Sequence, residues 1–112
     1  METKIVKRDK WQSYFDMLTK SLEGKRVTID VGALKTGEQV EAEDLVLLGI
    51  TYDPRDDLIE VSMEDLDHMI RSPRNVQIAF GDKGVEAIQI TNKDGGQQIV
   101  HLKDPLLLPA PK

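Results

Sequence analysis

The chain has 112 residues, of which 39% are hydrophobic and 31% charged, and its formal net charge is −5. This length fits one domain with its own core, and it excludes two. The chain contains no cysteine, which excludes disulfides, zinc–thiolate sites and cysteine nucleophiles. We predict a single domain over residues 1–112, with a flexible arm at residues 1–8 and a proline-rich tail at residues 103–112.

An amphipathic helix is predicted from about Lys10 to Glu23. Asp9 and Gln12 have the spacing of a capping box, and Gly24 stands where a left-handed C-terminal cap is expected. Apolar residues recur at spacings of three and four, which is typical of one helix face. We interpret this stripe as core, in preference to a platform that stacks nucleobases; it comprises Trp11, Tyr14, Phe15, Leu18 and Leu22.

After the helix the hydrophobic period changes to two, which indicates strands. The first strand is predicted at Arg26–Val31, and a turn follows at residues 35–37. The stretch Glu38–Tyr52 then predicts one bent strand or two, with a bulge near Glu43 and Asp44. The turn residues Asp53–Asp57 connect it to a strand that ends at Met63, and the pair is predicted to form a hairpin.

The segment Glu64–Ile70 breaks the strand period, so we predict a helical turn there that ends before Pro73. Three further strands are expected to form a meander, and the last of them is predicted at Gln97–Leu102. The predicted fold class is therefore α+β, mainly β. An N-terminal amphipathic helix precedes five to six antiparallel strands in a strongly curved sheet or small barrel. A ferredoxin-like sandwich is the alternative, but the segment 64–70 is short for its second helix.

Three separated segments resemble a known family. They are Asp53–Glu60, Asp67–Arg74 and Asp104–Pro109, together with Trp11 and Phe15 on the helix. The chain is similar to a family of short bacterial proteins of unknown function. The resemblance covers most of the chain and implies a bacterial source, but it implies no activity, cofactor or site residue.

The charge is distributed unevenly along the chain. Residues 27–67 carry twelve acidic and two basic groups, whereas residues 1–26 and 68–112 are each net basic. An acidic central region repels phosphate backbones and attracts cations or basic protein surfaces, although a solvated sheet face is the simpler interpretation. No stretch is apolar enough to span a bilayer and the N-terminus has no apolar leader segment, so we expect a cytoplasmic protein without a membrane partner.

The acidic region also contains the candidate functional residues. Carboxylates and a histidine are the groups that acid–base catalysis uses, and carboxylate oxygens are ligands for hard cations. The spacing fits neither an EF-hand nor a nucleophile–base pair, so we predict no catalytic residue, no cofactor and no metal site. The candidate cluster comprises Asp53, Asp56, Asp57, Asp67, His68 and Arg71.

The sequence favours a non-enzymatic protein-interaction or regulatory domain whose partner is another protein or a second copy of the chain. Two alternatives stay open. One is a metal-dependent or acid–base enzyme that uses the Asp53–Asp57 turn together with Asp67 and His68. The other is an Sm-like small barrel that binds nucleic acid, which the central acidity disfavours.

Overall fold

In the computed structural model, which describes residues 2–33 and 37–106, the chain forms one α-helix and eight strands. The mainly β, α+β class is confirmed. The expected five to six strands are too few, and one strand precedes the helix. The elements are β1 (Glu2–Ile5), a 3-10 turn (Arg8–Lys10), α1 (Trp11–Leu22), β2 (Arg26–Ala33), β3 (Gly37–Asp53), β4 (Leu58–Met63), β5 (Asp67–Arg71), β6 (Pro73–Gly81), β7 (Gly84–Asn92) and β8 (Gln97–Leu106).

All eight strands belong to one antiparallel sheet, in the order β1-β6-β7-β8-β2-β3-β4-β5. Strands β2 to β5 follow one another as hairpins, and β6 to β8 form the predicted meander. Strand β8 then returns to pair with β2, which places Leu102 opposite Val27. Strands β1 and β5 are the two ends of the order and are not paired with each other in the described ranges. The sheet is therefore open rather than a closed barrel.

Helix α1 covers the sheet with the apolar stripe that the sequence predicts. All five stripe residues, Trp11, Tyr14, Phe15, Leu18 and Leu22, are buried. Fully burying a large apolar side chain contributes roughly 1.5–3 kcal/mol. The sheet supplies mostly aliphatic partners, including Ile29, Ile50, Ile59, Ile78 and Ile88. The helix stripe is therefore part of the core, as expected.

Polar contacts fasten the end of α1 to β3. Thr19 Oγ1 donates to the Ile50 carbonyl oxygen at 2.8 Å and accepts from the Ile50 amide at 3.0 Å. The close approach favours glycine at position 49, because a Cβ there would lie 3.1 Å from Thr19 Cγ2, a tight contact. Gly24 has the predicted left-handed conformation, with φ of +86°, and its amide donates to the Leu47 carbonyl at 2.9 Å.

The predicted capping box at the start of α1 is wrong. Lys10 is the N-cap residue, and no side chain caps the helix. Asp9 lies instead in the preceding 3-10 turn, which is closed by a 2.8 Å hydrogen bond from the Lys10 amide to the Lys7 carbonyl. A capping side chain must belong to the N-cap residue. The added turn moves Asp9 out of that position.

Strand β3 is one continuous strand of 17 residues, and it contains the predicted bulge. Between the pairs Val27–Leu45 and Ile29–Ala42, two residues of β3 stand opposite one residue of β2. Asp44, one of those two, has a positive φ of 53°. An inserted residue of this kind bends a strand and increases its twist.

Within the segment 1–8 that was expected to be a flexible arm, Glu2–Ile5 forms strand β1. It pairs with β6 from Glu2 opposite Phe80 to Ile5 opposite Gln77. All four side chains of β1 are exposed. The strand is therefore held mainly through its backbone ladder, so no hydrophobic pattern identifies it in the sequence.

The expected helical turn at residues 64–70 is also wrong. Glu64 and Asp65 form a tight turn, and Asp67–Arg71 forms strand β5 beside β4. The sequence pattern is weak because Ile70 is the one fully buried side chain of the strand. The break before Pro73 is real, but it is the junction between β5 and β6, where Ser72 has a φ of 52°.

Strand β8 continues past its predicted end at Leu102 to Leu106. Residues 107–112 of the predicted proline-rich tail lie outside the described residues. The predicted turn at residues 35–37 also lies outside them, apart from Gly37 at the start of β3. Across the described ranges, no helix has both the length and the apolar character needed to cross a membrane.

The buried helix stripe leads to a first prediction. Trp11→Ala should lower the free energy of unfolding by about 3–5 kcal/mol, because a buried aromatic side chain leaves a cavity when it is removed. Chemical denaturation monitored by circular dichroism measures the change. Gln12→Ala, on the exposed face of the same helix, is the matched control and should change stability by less than about 0.5 kcal/mol. Equal midpoints for Trp11→Ala and the parent chain would show that the stripe is a free surface.

Candidate functional site

The structure does not bring the predicted acidic cluster together as one site. Asp53 is the last residue of β3, and Asp56 and Asp57 lie in the β3–β4 connection. The other three candidates lie on β5: Asp67, His68 and Arg71. In the β4–β5 ladder, Arg71 is opposite Leu58, and Asp67 is opposite Ser62. Four residues along a strand span roughly 13 Å. Asp57 and Arg71 therefore share one end of the hairpin, and Asp67 lies at the other.

Within the turn, the three aspartates have different roles. Asp53 accepts a 2.9 Å hydrogen bond from the Arg55 amide, which stabilises the turn locally. Asp56 is exposed to solvent. Asp57 ends the turn with a positive φ of 49° and turns its carboxylate toward groups from distant parts of the chain.

The Asp57 carboxylate is the centre of an ionic network that the sequence analysis missed. Its Oδ1 accepts from Arg8 Nη1 at 3.0 Å and from the Tyr52 hydroxyl at 2.9 Å, and Arg74 lies 3.8 Å from its Oδ2. Desolvation by burial raises the pKa of Asp57. The hydrogen bonds from Arg8 and Tyr52 and the attraction of both arginines outweigh it and hold that pKa below its ordinary value.

Arg8 extends this network to the helix and to β6. Its Nη1 also donates to Tyr52 Oη at 3.0 Å, and its Nη2 donates to the Pro73 carbonyl at 2.7 Å. The guanidinium lies 4.4 Å from the Trp11 ring centroid, and Trp11 meets Tyr52 edge to face at 5.1 Å. Burial, and then the neighbouring Asp57, raise the pKa of Tyr52, so its hydroxyl stays a donor. The network therefore serves to join elements, since its groups are paired with one another.

His68 belongs to a second network, on the inner face of β5. Its Nε2 lies 2.7 Å from Gln98 Oε1, and Gln98 Nε2 donates to Asn92 Oδ1 at 2.8 Å. Asn92 Nδ2 in turn donates to the Arg71 carbonyl at 3.3 Å. Asp67 alternates to the opposite face of the strand from His68, so the two do not form an acid–base pair. The network instead links β5 to β8, which are not neighbours in the sheet.

One edge of β5 is left without a strand partner in the described ranges. At the turn between β4 and β5, the amides of Met63 and Leu66 each donate to the carbonyl of the other residue. At the far end of the hairpin, the Ser72 amide donates to the Asp57 carbonyl. Hydrogen-bonded pairs alternate along an antiparallel ladder. Residues 67, 69 and 71 therefore direct their backbone groups away from β4, toward the open edge.

A cleft of about 430 Å³ lies at the Arg71 end of this strand. Its lining comes from the β5–β6 junction and from the β7–β8 turn, and it comprises Arg71, Ser72, Asn92, Lys93 and Asp94. A 2.9 Å hydrogen bond from the Lys93 amide to the Ser72 carbonyl holds the two parts together. Arg71, one of the predicted candidate residues, thus lines this cleft.

The described residues of the structure form no evident metal centre. In the part of the chain that it describes, no group of three or more histidine, aspartate or glutamate side chains is arranged to hold a metal ion. Two surface features lie beside the predicted candidate residues on β5. They are the open edge of that strand and the cleft at its Arg71 end.

Comparisons with known proteins identify the family. The model of DUF5335, a family of unknown function, matches residues 2–111, which confirms the resemblance seen in the sequence. An uncharacterised protein of Aquifex aeolicus (strain VF5) is 34% identical over 110 residues, covering 97% of this chain and 99% of that protein. No solved structure matches the chain.

The lowered pKa of Asp57 leads to a prediction about pH. An aspartate with a lowered folded-state pKa stabilises the fold above its unfolded-state pKa, and this contribution is lost as pH falls through the folded-state value. Asp57→Asn should therefore cost about 1 kcal/mol of stability at neutral pH, allowing for screening at a partly exposed group. The difference from the parent chain should vanish in acid.

Urea denaturation at a series of pH values measures this difference. Asp56→Asn removes the same charge from the neighbouring exposed residue and is the matched control, for which no pH-dependent loss is expected. A loss for Asp57→Asn that persisted unchanged at acid pH would mean that the carboxylate charge is not the source of the stabilisation.

Proposed function

We propose that this chain, which belongs to the DUF5335 family, is a protein-interaction domain that binds a second copy of itself through the open edge of β5. The observation that supports this is the self-complementary outer face of that strand. Asp67, Met69 and Arg71 are exposed on it, in the order acidic, apolar, basic.

The edge has the backbone groups that strand pairing requires. Residues 67, 69 and 71 direct amides and carbonyls outward, and an exposed strand edge readily pairs with another strand. Proteins often protect such edges with proline, lysine or a bulge. The segment Asp67–Arg71 contains none of these, and Met69, near its centre, is 43% exposed.

A two-fold axis through Met69 would give each of the three outward-facing residues of β5 a complementary partner on the second copy. Antiparallel pairing of two copies places Met69 against Met69 of the second copy and Asp67 against Arg71 twice. The residues that direct their backbone outward then form the hydrogen-bonded pairs. Each favourable cross-strand pair contributes roughly 0.2–1 kcal/mol. Such a contact is isologous and closes at a dimer.

Strand β1, at the other end of the sheet, is the competing edge. It has four residues, and pairing centred on Thr3 would place Glu2 opposite Lys4 of a second copy. Its centre is a polar side chain, whereas the centre of β5 is an exposed methionine whose burial removes apolar surface from water. The longer strand with the apolar centre is therefore favoured.

The structure gives less support to the two alternatives. An acid–base enzyme would need a free carboxylate near His68, but Asp57 is bound to Arg8 and Tyr52 at the other end of the hairpin. Nucleic-acid binding would need a basic stripe. Several basic side chains instead pair with aspartates of the acidic region, among them Arg26 and Lys103 with Asp44.

The proposal predicts the effect of exchanging charges on β5. Asp67→Arg and Arg71→Asp should each weaken dimerisation by about tenfold, because each places like charges opposite one another twice. The double variant Asp67→Arg plus Arg71→Asp restores opposite pairs and should recover the parent affinity. Sedimentation equilibrium over a range of concentrations measures the dissociation constant.

Lys4→Glu is the matched control at the other edge, where it would repel Glu2 in a β1 dimer. It should leave the mass unchanged. Loss of the dimer in Lys4→Glu with no effect of the β5 variants would assign the contact to β1. A parent chain that stays monomeric at the highest concentration would exclude self-association altogether.

A further inference from the structure

We infer that the cleft at the Arg71 end of β5 is a binding site for a small oxyanion, carrying a carboxylate or a phosphate group. The inference goes beyond self-association and does not require a second copy of the chain. It rests on the shape of the cleft, on which of its polar groups already have partners, and on its charge.

The cleft has the size and the fixed walls of a ligand site. Its volume of about 430 Å³ lies within the range of small-molecule pockets. Ser72, one of the lining residues, has a positive φ of 52°, and its backbone is hydrogen-bonded on both sides. Its amide donates to the Asp57 carbonyl and its carbonyl accepts from the Lys93 amide, each at 2.9 Å.

Two of the polar side chains in the lining are already engaged. The Asn92 amide group donates to the Arg71 carbonyl and accepts from Gln98. The Asp94 carboxylate accepts a 3.2 Å hydrogen bond from the Gly96 amide of its own turn. These groups shape the cleft and leave little capacity to bind a ligand.

The remaining groups are donors, and two of them are cationic. Within the described part of the chain, the Arg71 guanidinium, the Lys93 ammonium and the Ser72 hydroxyl have no hydrogen-bond or ion-pair partner. By contrast, Arg8 and Arg74 both lie beside the carboxylate of Asp57. With two cations, one carboxylate and a hydroxyl donor, the lining is net positive, which suits an oxyanion because charge-assisted hydrogen bonds to carboxylate and phosphate are strong.

The proposed β5 dimer would also bring a carboxylate to Arg71. In the β5 dimer, Arg71 would face the Asp67 carboxylate of the second copy, which is itself an oxyanion. A small carboxylate or phosphate would therefore compete with that side chain for Arg71. The lining of the cleft comes from one copy of the chain, so the ligand-binding test does not require that the chain dimerises.

The test is an NMR titration of the full chain with inorganic phosphate and, separately, with succinate. Chloride at matched ionic strength is the reference, because it reproduces screening without oxyanion geometry. We expect saturable amide shifts at Ser72, Asn92 and Lys93. Saturation by phosphate alone or by succinate alone identifies the ligand class. Shifts equal to those caused by chloride, or no saturation with either anion, would overturn the inference.

Three variants assign the binding to the cleft. Lys93→Gln should weaken binding about tenfold through loss of one charged donor. Asp94→Asn keeps the oxygen that accepts from Gly96 and removes the one negative charge of the lining, so it should tighten binding, a gain that misfolding cannot produce. Lys83→Gln, the same change in the β6–β7 turn, should have no effect. Equal weakening by Lys93→Gln and Lys83→Gln would show non-specific attraction and overturn the inference.

Discussion

Strand β3 has to bend, and the rest of the fold depends on where it does so. Seventeen extended residues would span roughly 56 Å, whereas the longest dimension of the molecule is 33 Å. Residues of β3 up to Val46 pair with β2 and those from Leu47 onward pair with β4, so the strand changes partner shortly after the bulge at Asp44. Helix α1 ends at this change of partner, where the Leu47 backbone is hydrogen-bonded to both Gly24 and Lys25. One helix can therefore seal a core between two parts of a single sheet.

The acidic central region is partly neutralised by the basic regions on either side of it in the sequence. Asp57 pairs with Arg8 and Arg74, and Asp44 lies within 3.8 Å of Arg26 and of Lys103. Exposed ion pairs of this kind contribute little individually. They nonetheless join the first and last parts of the chain to the middle, so part of the uneven charge in the sequence corresponds to contacts within the molecule.

The sequence predicted the elements whose pattern comes from burial. Helix α1 has five buried side chains at helical spacing, and the bulge in β3 interrupts an otherwise regular alternation. Strand β1 has no buried side chain, and β5 has a single fully buried one, so neither produces a pattern. The site was harder to predict because Arg8 and Asp57 are far apart in the sequence. Neighbouring acidic residues were grouped as one cluster, whereas the register of β4 and β5 separates them.

The pairing of β8 with β2 has a consequence for how the chain folds. It joins residues near the two ends of the sequence, such as Val27 and Leu102, and such non-local pairing slows folding because a long loop must close first. During synthesis, β2 leaves the ribosome well before β8. Until β8 arrives, the nascent chain exposes an unpaired β2 edge as well as the edge of β5. Exposed strand edges favour misassembly, so the chain is most exposed to it in this interval.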